Sequence, residues 1–231
     1  IHSDVNLGGD GFDAPSSRLA ALRNLALAFV ENAGQSDPAV RFQAHGLGGQ
    51  IFFTADQVVL VRDAEGVENQ TQTPAGVGDP GELPGKQAAP AVLRLQFERP
   101  NPAARLVADA PQTGVVNYFI GNEPGKWRTG LPTYAHLGYR ELYPGIDLIY
   151  EGMTARLKGS YLVRPGADPT RIRWRYPGAS DLVVTATGDL EIRYTTAGQV
   201  AAWIEAAPVA WQEVAGVRLP VDVRYVIAAD R

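Results

Sequence analysis

The densest group of side chains that could do chemistry lies in one short segment, NYFIGNEPGKWRTGLPTY, at residues 117–134. An aromatic ring can stack on the C–H surface of a sugar while neighbouring charged groups bind its hydroxyls. Because Trp127 stands between two basic residues, the segment predicts a contact with a carbohydrate. The candidate ligand-binding residues are Lys126, Trp127, Arg128, Tyr134 and Asp147.

The same segment also has a purely structural interpretation. Glu123-Pro124-Gly125-Lys126 has the composition of a turn. Trp127 and Tyr134 would then be buried anchors that pin a long crossover to the core, and Arg128 would satisfy loop carbonyls or Asp147. Most tryptophans of small β domains are largely buried, so we favour this structural role over ligand contact. The burial of Trp127 decides between the two.

The common catalytic and metal-binding motifs are missing from the sequence. The three histidines are far apart: His2, His45 and His136. No HExxH, GxSxG or GxxxxGK motif occurs. A glycosidase needs two carboxylates about 5 to 10 Å apart across a cleft, and one acidic group lies near the aromatic segment: Glu141, Asp147 and Glu151. Such acids are more often simply exposed. We predict no catalytic residue, metal or cofactor, with a glycoside hydrolase or lyase as the least favoured alternative.

Composition excludes several classes of partner. The 231 residues carry a formal net charge of -4, so there is no overall basic field to attract nucleic acid. No apolar run approaches 18 residues, which predicts no membrane insertion. The chain contains no cysteine, so its stability must come from a packed core. It starts at Ile1 without a leader, which fits either a mature secreted product whose signal was removed or an arbitrary boundary of the sequence, and we expect a secreted location.

The pattern of short apolar runs predicts an all-β fold. These runs alternate in several places and are separated by Pro-Gly turns, as in antiparallel sandwiches. We predict an antiparallel β-sandwich, or two tightly packed sandwiches, over residues 27–231. Residues 1–26 would form an N-terminal arm or a short helix that Ser16 or Ser17 caps. Apolar residues continue at helical spacing to Phe29, and the helix ends there or before it.

Two local features complete the organisation. The Gly- and Pro-rich tract at residues 64–90 lacks the apolar content to order itself and predicts a mobile surface loop. It contains Asn69 in an acceptor triplet for N-glycosylation, a weak signal because such triplets are frequent. In RIRWRY, Arg171–Tyr176, arginines alternate with apolar residues, which predicts an outer strand with a charged face that discourages edge pairing.

Several blocks of the sequence together resemble a known family. The most specific are KWRT, YPGID and PGADP in combination, and they stand within longer blocks: FVENAGQSDPAVRFQAHG, VLRLQF, NPAARLV, YFIGNEPGKWRTGLPTYAHLGYRELYPGIDLIYEG, RPGADPTRIRWRYPGA and APVAWQEVAGVRLPVDVRYVI. The chain resembles, from about Leu27 to Ile227, the uncharacterised β-rich domain near the N-terminus of bacterial extracellular proteins with SBBP-type β-propeller repeats. One difference from the expected pattern is LKGSYLV at 157–163, where Lys158 and Ser160 replace acids.

The resemblance implies a secreted or surface-attached module and brings no catalytic residues with it. Our leading hypothesis is a non-enzymatic extracellular structural or adhesive module of a bacterial surface protein. It would self-assemble into oligomers or filaments through sheet edges and the N-terminal arm. The alternative is a carbohydrate-binding module that uses Trp127 and neighbouring polar residues.

Overall fold

The computed structural model describes residues 2–6, 27–46, 49–62, 90–153, 156–196 and 199–228. Within these ranges every strand pairing is antiparallel. The all-β prediction is therefore confirmed. The strands are β1 (His2–Asn6), β2 (Phe29–Glu31), β3 (Phe42–Gly46), β4 (Gly49–Phe53), β5 (Gln57–Arg62), β6 (Ala91–Phe97), β7 (Arg105–Tyr118), β8 (Arg128–Tyr143), β9 (Ile146–Met153), β10 (Arg156–Val163), β11 (Trp174–Arg175), β12 (Asp181–Val184), β13 (Leu190–Thr196), β14 (Gln199–Glu205), β15 (Ala210–Val214) and β16 (Val217–Val221). Short 3₁₀ turns occupy Pro124–Lys126 and Pro169–Arg171.

Fourteen strands form one curled sheet, and β15 and β16 form a separate hairpin. The sheet divides at β8, because β7 runs along one edge of β8 while both β2 and β9 pair with its other edge, at different levels. One half then continues through β2, β3, β4, β5, β6 and β11, and the other through β9, β10, β1, β14, β13 and β12.

The two halves curl towards each other and enclose the core, in a sandwich-like arrangement. Alternate residues of strands such as β5 and β6 face inwards, as a strand with one buried face requires. The rings of Phe53 on β4 and Tyr150 on β9 lie 5.4 Å apart between centroids, and Tyr161 on β10 stacks on Trp174 on β11 at 6.3 Å. These contacts join the two halves across the interior.

Close approach at the division of the sheet requires a glycine. A Cβ on Gly152 of β9 would lie 2.0 Å from the backbone oxygen of Leu27, the residue that leads into β2. Real Cβ atoms do not approach a carbonyl oxygen this closely, so the meeting of β2 and β9 beside β8 depends on the missing side chain.

β1 lies out of chain order within the second half of the sheet. All five of its residues pair with β10, from His2 opposite Ser160 to Asn6 opposite Arg156. On its other edge Val5 pairs with Glu205 and Asn6 with Ile204 of β14. The described part of the predicted N-terminal arm is therefore a strand of the main sheet.

The segment at 117–134, predicted as a connector, is mostly part of a long hairpin. β7 and β8 have 14 and 16 residues, and the prolines within them, Pro111 and Pro132, concealed the strands in the sequence. Pro111 precedes a register shift in β7, where the ladder is already irregular. The loop between the strands is residues 119–127, which we call the tip loop.

Three other sequence predictions have different outcomes in the structure. A helix that reaches Phe29 is excluded, since Phe29 begins β2, and a helix that ends before residue 27 lies outside the described ranges. The loop at 64–90 and Asn69 also lie outside them, apart from Pro90. The alternation in RIRWRY is confirmed, because Arg171, Arg173 and Arg175 are exposed and the intervening residues are not. β11 ends the sheet beside β6, as the predicted outer strand should.

Candidate functional site

The tip loop presents an exposed aromatic pair. The Phe119 and Trp127 rings meet edge to face with centroids 5.2 Å apart. Their exposures are 64% and 37%, and the neighbouring Ile120 is exposed as well. The Trp127 Nε1 donates to the backbone oxygen of Gly121 at 3.1 Å, so the indole is fixed against its own loop. A large apolar surface is thereby held in one orientation towards solvent.

A 3₁₀ turn shapes the charged side of the tip loop. Pro124 begins the turn, where its fixed φ suits the helical backbone and its missing N–H costs no hydrogen bond. The Lys126 Nζ lies 3.0 Å from the Glu123 carboxylate, on the surface, where such a pair adds little stability. Lys126 and Trp127 are therefore adjacent and exposed, as a sugar contact would need.

Arg128 fastens the tip loop to the body of the protein. Its Nε donates to the backbone oxygen of Ala33 at 2.7 Å, and its Nη1 donates to those of Gly125 and Trp127, both at 3.1 Å. The loop that contains Ala33 is itself fixed by Asn32, whose side-chain oxygen accepts from the backbone nitrogens of Gly34 and Ser36 at 3.0 and 3.1 Å. The prediction that Arg128 satisfies loop carbonyls is confirmed.

The prediction that Trp127 is a buried anchor is wrong. Trp127 contacts Phe119 and Gly121 of its own loop, and its exposure places it outside the core. The reason is the length of the β7–β8 hairpin, which carries the tip loop beyond the packed layers. Tyr134, further along β8, does pack against the core and is partly buried. The anchoring role therefore falls to Tyr134.

The five candidate ligand-binding residues do not form one site. Lys126, Trp127 and Arg128 are consecutive at the tip loop. Tyr134 lies six residues further along β8 than Arg128, about 20 Å at the rise of a strand. Asp147 lies on β9 beside the other end of β8, about 40 Å from the tip loop measured along the strand. A single sugar unit could contact the first three residues and not the other two.

Asp147 instead belongs to a network of ion pairs near the β8–β9 turn. Arg140 and Arg164 approach its carboxylate at 3.3 and 3.6 Å, and it accepts from the backbone nitrogen of Glu141 at 2.7 Å. Glu141 has φ +54°, a conformation that a non-glycine residue adopts only where the surroundings hold it. The network therefore holds a strained turn of the chain.

Glu141 of the predicted acidic group has a lowered carboxyl pKa. The backbone N–H of Gly145, and then Arg164, lower the pKa of Glu141, whereas a general acid needs a raised value. The third acid, Glu151, pairs with Lys158 of β10 at 3.4 Å. Lys158, which replaces an expected acid, thus balances a charge on the neighbouring strand.

A buried carboxylate, which the sequence reasoning missed, lies inside the curled sheet. Glu205 ends β14 with 3% of its surface exposed. Its Oε1 accepts from the Tyr176 hydroxyl, which in turn accepts from the Trp174 Nε1 at 2.9 Å. Burial raises the pKa of Glu205 to about 7, and hydrogen bonds from the Tyr176 and Tyr225 hydroxyls keep it from rising further.

A small cavity adjoins this carboxylate. Its volume of about 10 Å³ matches a single water molecule. It lies between the two halves of the sheet and is lined by Leu95, Leu148, Tyr150, Gly159, Tyr161, Trp174 and Glu205. Burial raises the pKa of the Tyr150 and Tyr161 hydroxyls well above the usual value, so both rings are neutral. The cavity is too small for a sugar, which limits the carboxylate to water or an ion of similar size.

The described ranges contain no cluster of three or more His, Cys, Asp or Glu side chains that could hold a metal ion. In the same ranges no helix has the length and apolar character needed to cross a membrane.

The comparisons with known proteins include a match to a family model. A sequence model of the family described as Domain of unknown function (DUF7948) matches residues 29–231. No curated protein matches the chain, and no solved structure matches it. The matched region begins at the first residue of β2 and includes every later strand. Since the match spans most of its length, the chain belongs to the DUF7948 family.

Proposed function

We propose that this chain is a non-enzymatic structural and adhesive module of a bacterial extracellular protein, of the kind that carries SBBP β-propeller repeats. The extracellular and bacterial parts of this proposal are supported by the resemblance of the KWRT, YPGID and PGADP blocks. The adhesive part is supported by the tip loop. Self-association through sheet edges and the N-terminal arm belongs to the same proposal.

The exposed aromatic pair of the tip loop is the observation that carries the proposal. Exposed rings that are fixed on a braced loop provide contact area at little entropic cost on binding, because few rotatable groups remain to be ordered. Phe119 and Trp127 are held by their mutual contact and by the hydrogen bond to Gly121. Arg128 braces the loop on Ala33. The tip loop is thus a preorganised contact surface.

An adsorption experiment tests the adhesive role. Labelled protein would be incubated with washed bacterial cells and with insoluble polysaccharides, and the retained fraction measured. We expect the double variant Phe119→Ser/Trp127→Ser to lower retention on cells at least tenfold, about 1.4 kcal/mol of binding energy. The control, Val214→Ser/Val217→Ser, removes two other exposed apolar residues from the β15–β16 hairpin and should leave retention unchanged. Equal retention of the wild type and the tip variant would refute the adhesive role.

Carbohydrate binding is the second candidate, favoured by the exposure of Trp127 beside Lys126. A glycan array with the wild type and Trp127→Ala distinguishes it from protein-mediated adhesion. Binding to defined glycans that is lost in Trp127→Ala supports the carbohydrate role, and glycan binding that survives the substitution counts against this site. Release of new reducing ends from any polysaccharide would overturn the non-enzymatic proposal.

A further inference from the structure

β1 lies between β10 and β14, and this position, which we call the slot, is the least expected feature of the sheet. These strands are neighbours of β1 and have no described pairing with each other, so β1 supplies the backbone hydrogen bonds that join them. Without β1, each would present a row of unpaired N–H and C=O groups to the other. Such facing edges form a site for one extended strand.

The strand that fills this slot comes from outside the family domain. The family match begins at Phe29, whereas β1 consists of His2–Asn6. Residues 7–28, which number 22, connect β1 to β2. Fully extended, they could span about 70 Å. The part of the chain that matches the family model therefore leaves one position of the sheet open, and a segment N-terminal to the match occupies it.

A small cavity and a buried carboxylate lie in the core beside β1. Gly159, which pairs with Ser3, and Glu205, which pairs with Val5, both line the water-sized cavity. A void forfeits packing contacts, and a buried carboxylate without a cationic partner is costly when ionised. Among the described residues, the groups that act on Glu205 are hydroxyls: Tyr176 and Tyr225 by hydrogen bonds, while Tyr150 and Tyr161 face it from β9 and β10.

We propose that the slot between β10 and β14 accepts the His2–Asn6 strand of a second copy of this chain, so that copies assemble by exchange of β1. This inference rests on the proposed structural role and specifies how self-association occurs. A second copy fits because its strand is identical to β1 and makes the same pairs. Each copy donates a strand and offers a slot, so the contact is head to tail and extends into chains or closes into rings.

Opening of the slot depends on pH through Glu205. The carboxyl is favoured in its neutral form while it is buried and returns to its ordinary pKa when water reaches it, so ionisation favours the open slot. With a buried pKa of about 7, opening should increase roughly tenfold between pH 6 and pH 8. The rate of strand exchange should increase by the same factor.

The absence of native cysteine allows a direct test by disulfide trapping. Asp4 of β1 pairs with Lys158 of β10, and opposed residues of antiparallel strands are close enough for a disulfide. A copy with Asp4→Cys is mixed at high concentration with a differently tagged copy with Lys158→Cys. After incubation at pH 6 or pH 8, samples are brought to one common pH and oxidised briefly. A cross-link between the two tags reports a strand in the slot of another copy.

Two further samples serve as controls. Asp4→Cys mixed with Arg218→Cys, on the separate β15–β16 hairpin, measures chance cross-linking. The double variant Asp4→Cys/Lys158→Cys in one chain should close within the chain, which confirms the register and prevents exchange.

We expect the Asp4–Lys158 cross-link to exceed the Arg218 control and to form roughly ten times faster after incubation at pH 8 than at pH 6. Glu205→Gln should remove this pH difference. No cross-link above the control, or failure of the double variant to close, would overturn strand exchange. Exchange with the same rate at both pH values would overturn the role of Glu205. Neither result would affect retention by the tip loop, so failure here is distinguishable from failure of the adhesive role.

Discussion

Replacing Glu205 with Gln removes a buried charge while it keeps nearly the same side-chain shape. The wild-type carboxylate is 3% exposed and accepts a hydrogen bond from Tyr176. A Gln oxygen at the same position can accept this bond. The substitution therefore isolates the cost of ionisation from the packing of the cavity wall.

The expected difference in the free energy of unfolding between the wild type and Glu205→Gln follows from the shift of the Glu205 pKa. Its folded value of about 7 lies above the ordinary 4.5, so the folded state holds the proton more tightly than the unfolded state. The contribution of Glu205 to stability is therefore fully present below pH 4.5 and is lost as the pH rises through 7. At 1.36 kcal/mol per pKa unit, the wild type loses about 3 kcal/mol relative to Glu205→Gln between pH 4.5 and pH 8.

Urea denaturation followed by tryptophan fluorescence measures this difference at several pH values. We expect the free energies of unfolding of the two proteins to converge near pH 4.5 and to diverge up to pH 8, with the variant the more stable. The other carboxyls titrate in both proteins and cancel in the difference. Glu213→Gln, at an exposed position of β15, is the matched control and should follow the wild type at every pH. If the free energies of unfolding of the wild type and Glu205→Gln differ by the same amount at every pH, Glu205 does not have a raised pKa in the folded state.

Three further predictions concern the stability of the fold and its assembly. Tyr139→Phe removes a buried hydroxyl that donates to the Thr54 backbone oxygen at 2.8 Å. The substitution should lower the free energy of unfolding by about 1–2 kcal/mol in urea denaturation. An unchanged free energy of unfolding would contradict a contribution of this size from the hydrogen bond. Gly152→Ala should cost about 2–3 kcal/mol or more in the same assay, because its Cβ would meet Leu27, whereas Gly125→Ala at the open tip loop should cost far less. Deletion of residues 1–26 should reduce the particle size in light scattering at fixed concentration, since β1 is removed; an unchanged size distribution would exclude the arm from assembly.

Local sequence patterns predicted the strands well where alternation is regular. Val58–Arg62 and Leu190–Tyr194 carry an apolar residue at every second position, and both are strands. Most of the β7–β8 hairpin was missed because Pro111, Pro132 and the Pro-Gly pair of the tip loop are all turn-like residues. Irregular registers accommodate the prolines, and register is a property of paired strands that a single segment does not show.

Glu205 shows what a sequence signal could have revealed and what it could not. In QVAAWIE, residues 199–205, alternation places Glu205 on the same face as Trp203, so an acid on an apolar strand face was visible in principle. Tyr176 and the cavity were not visible, since the hydrogen bond spans 29 positions and the cavity wall comes from both halves of the sheet. The exposure of Trp127 was hidden in the same way, because the length of a hairpin beyond its core depends on where neighbouring strands end. Both functional candidates therefore depend on long-range placement. The tip loop lies where the β7–β8 hairpin extends past β2 and β9, and Glu205 lies where a strand from outside the family match completes the sheet.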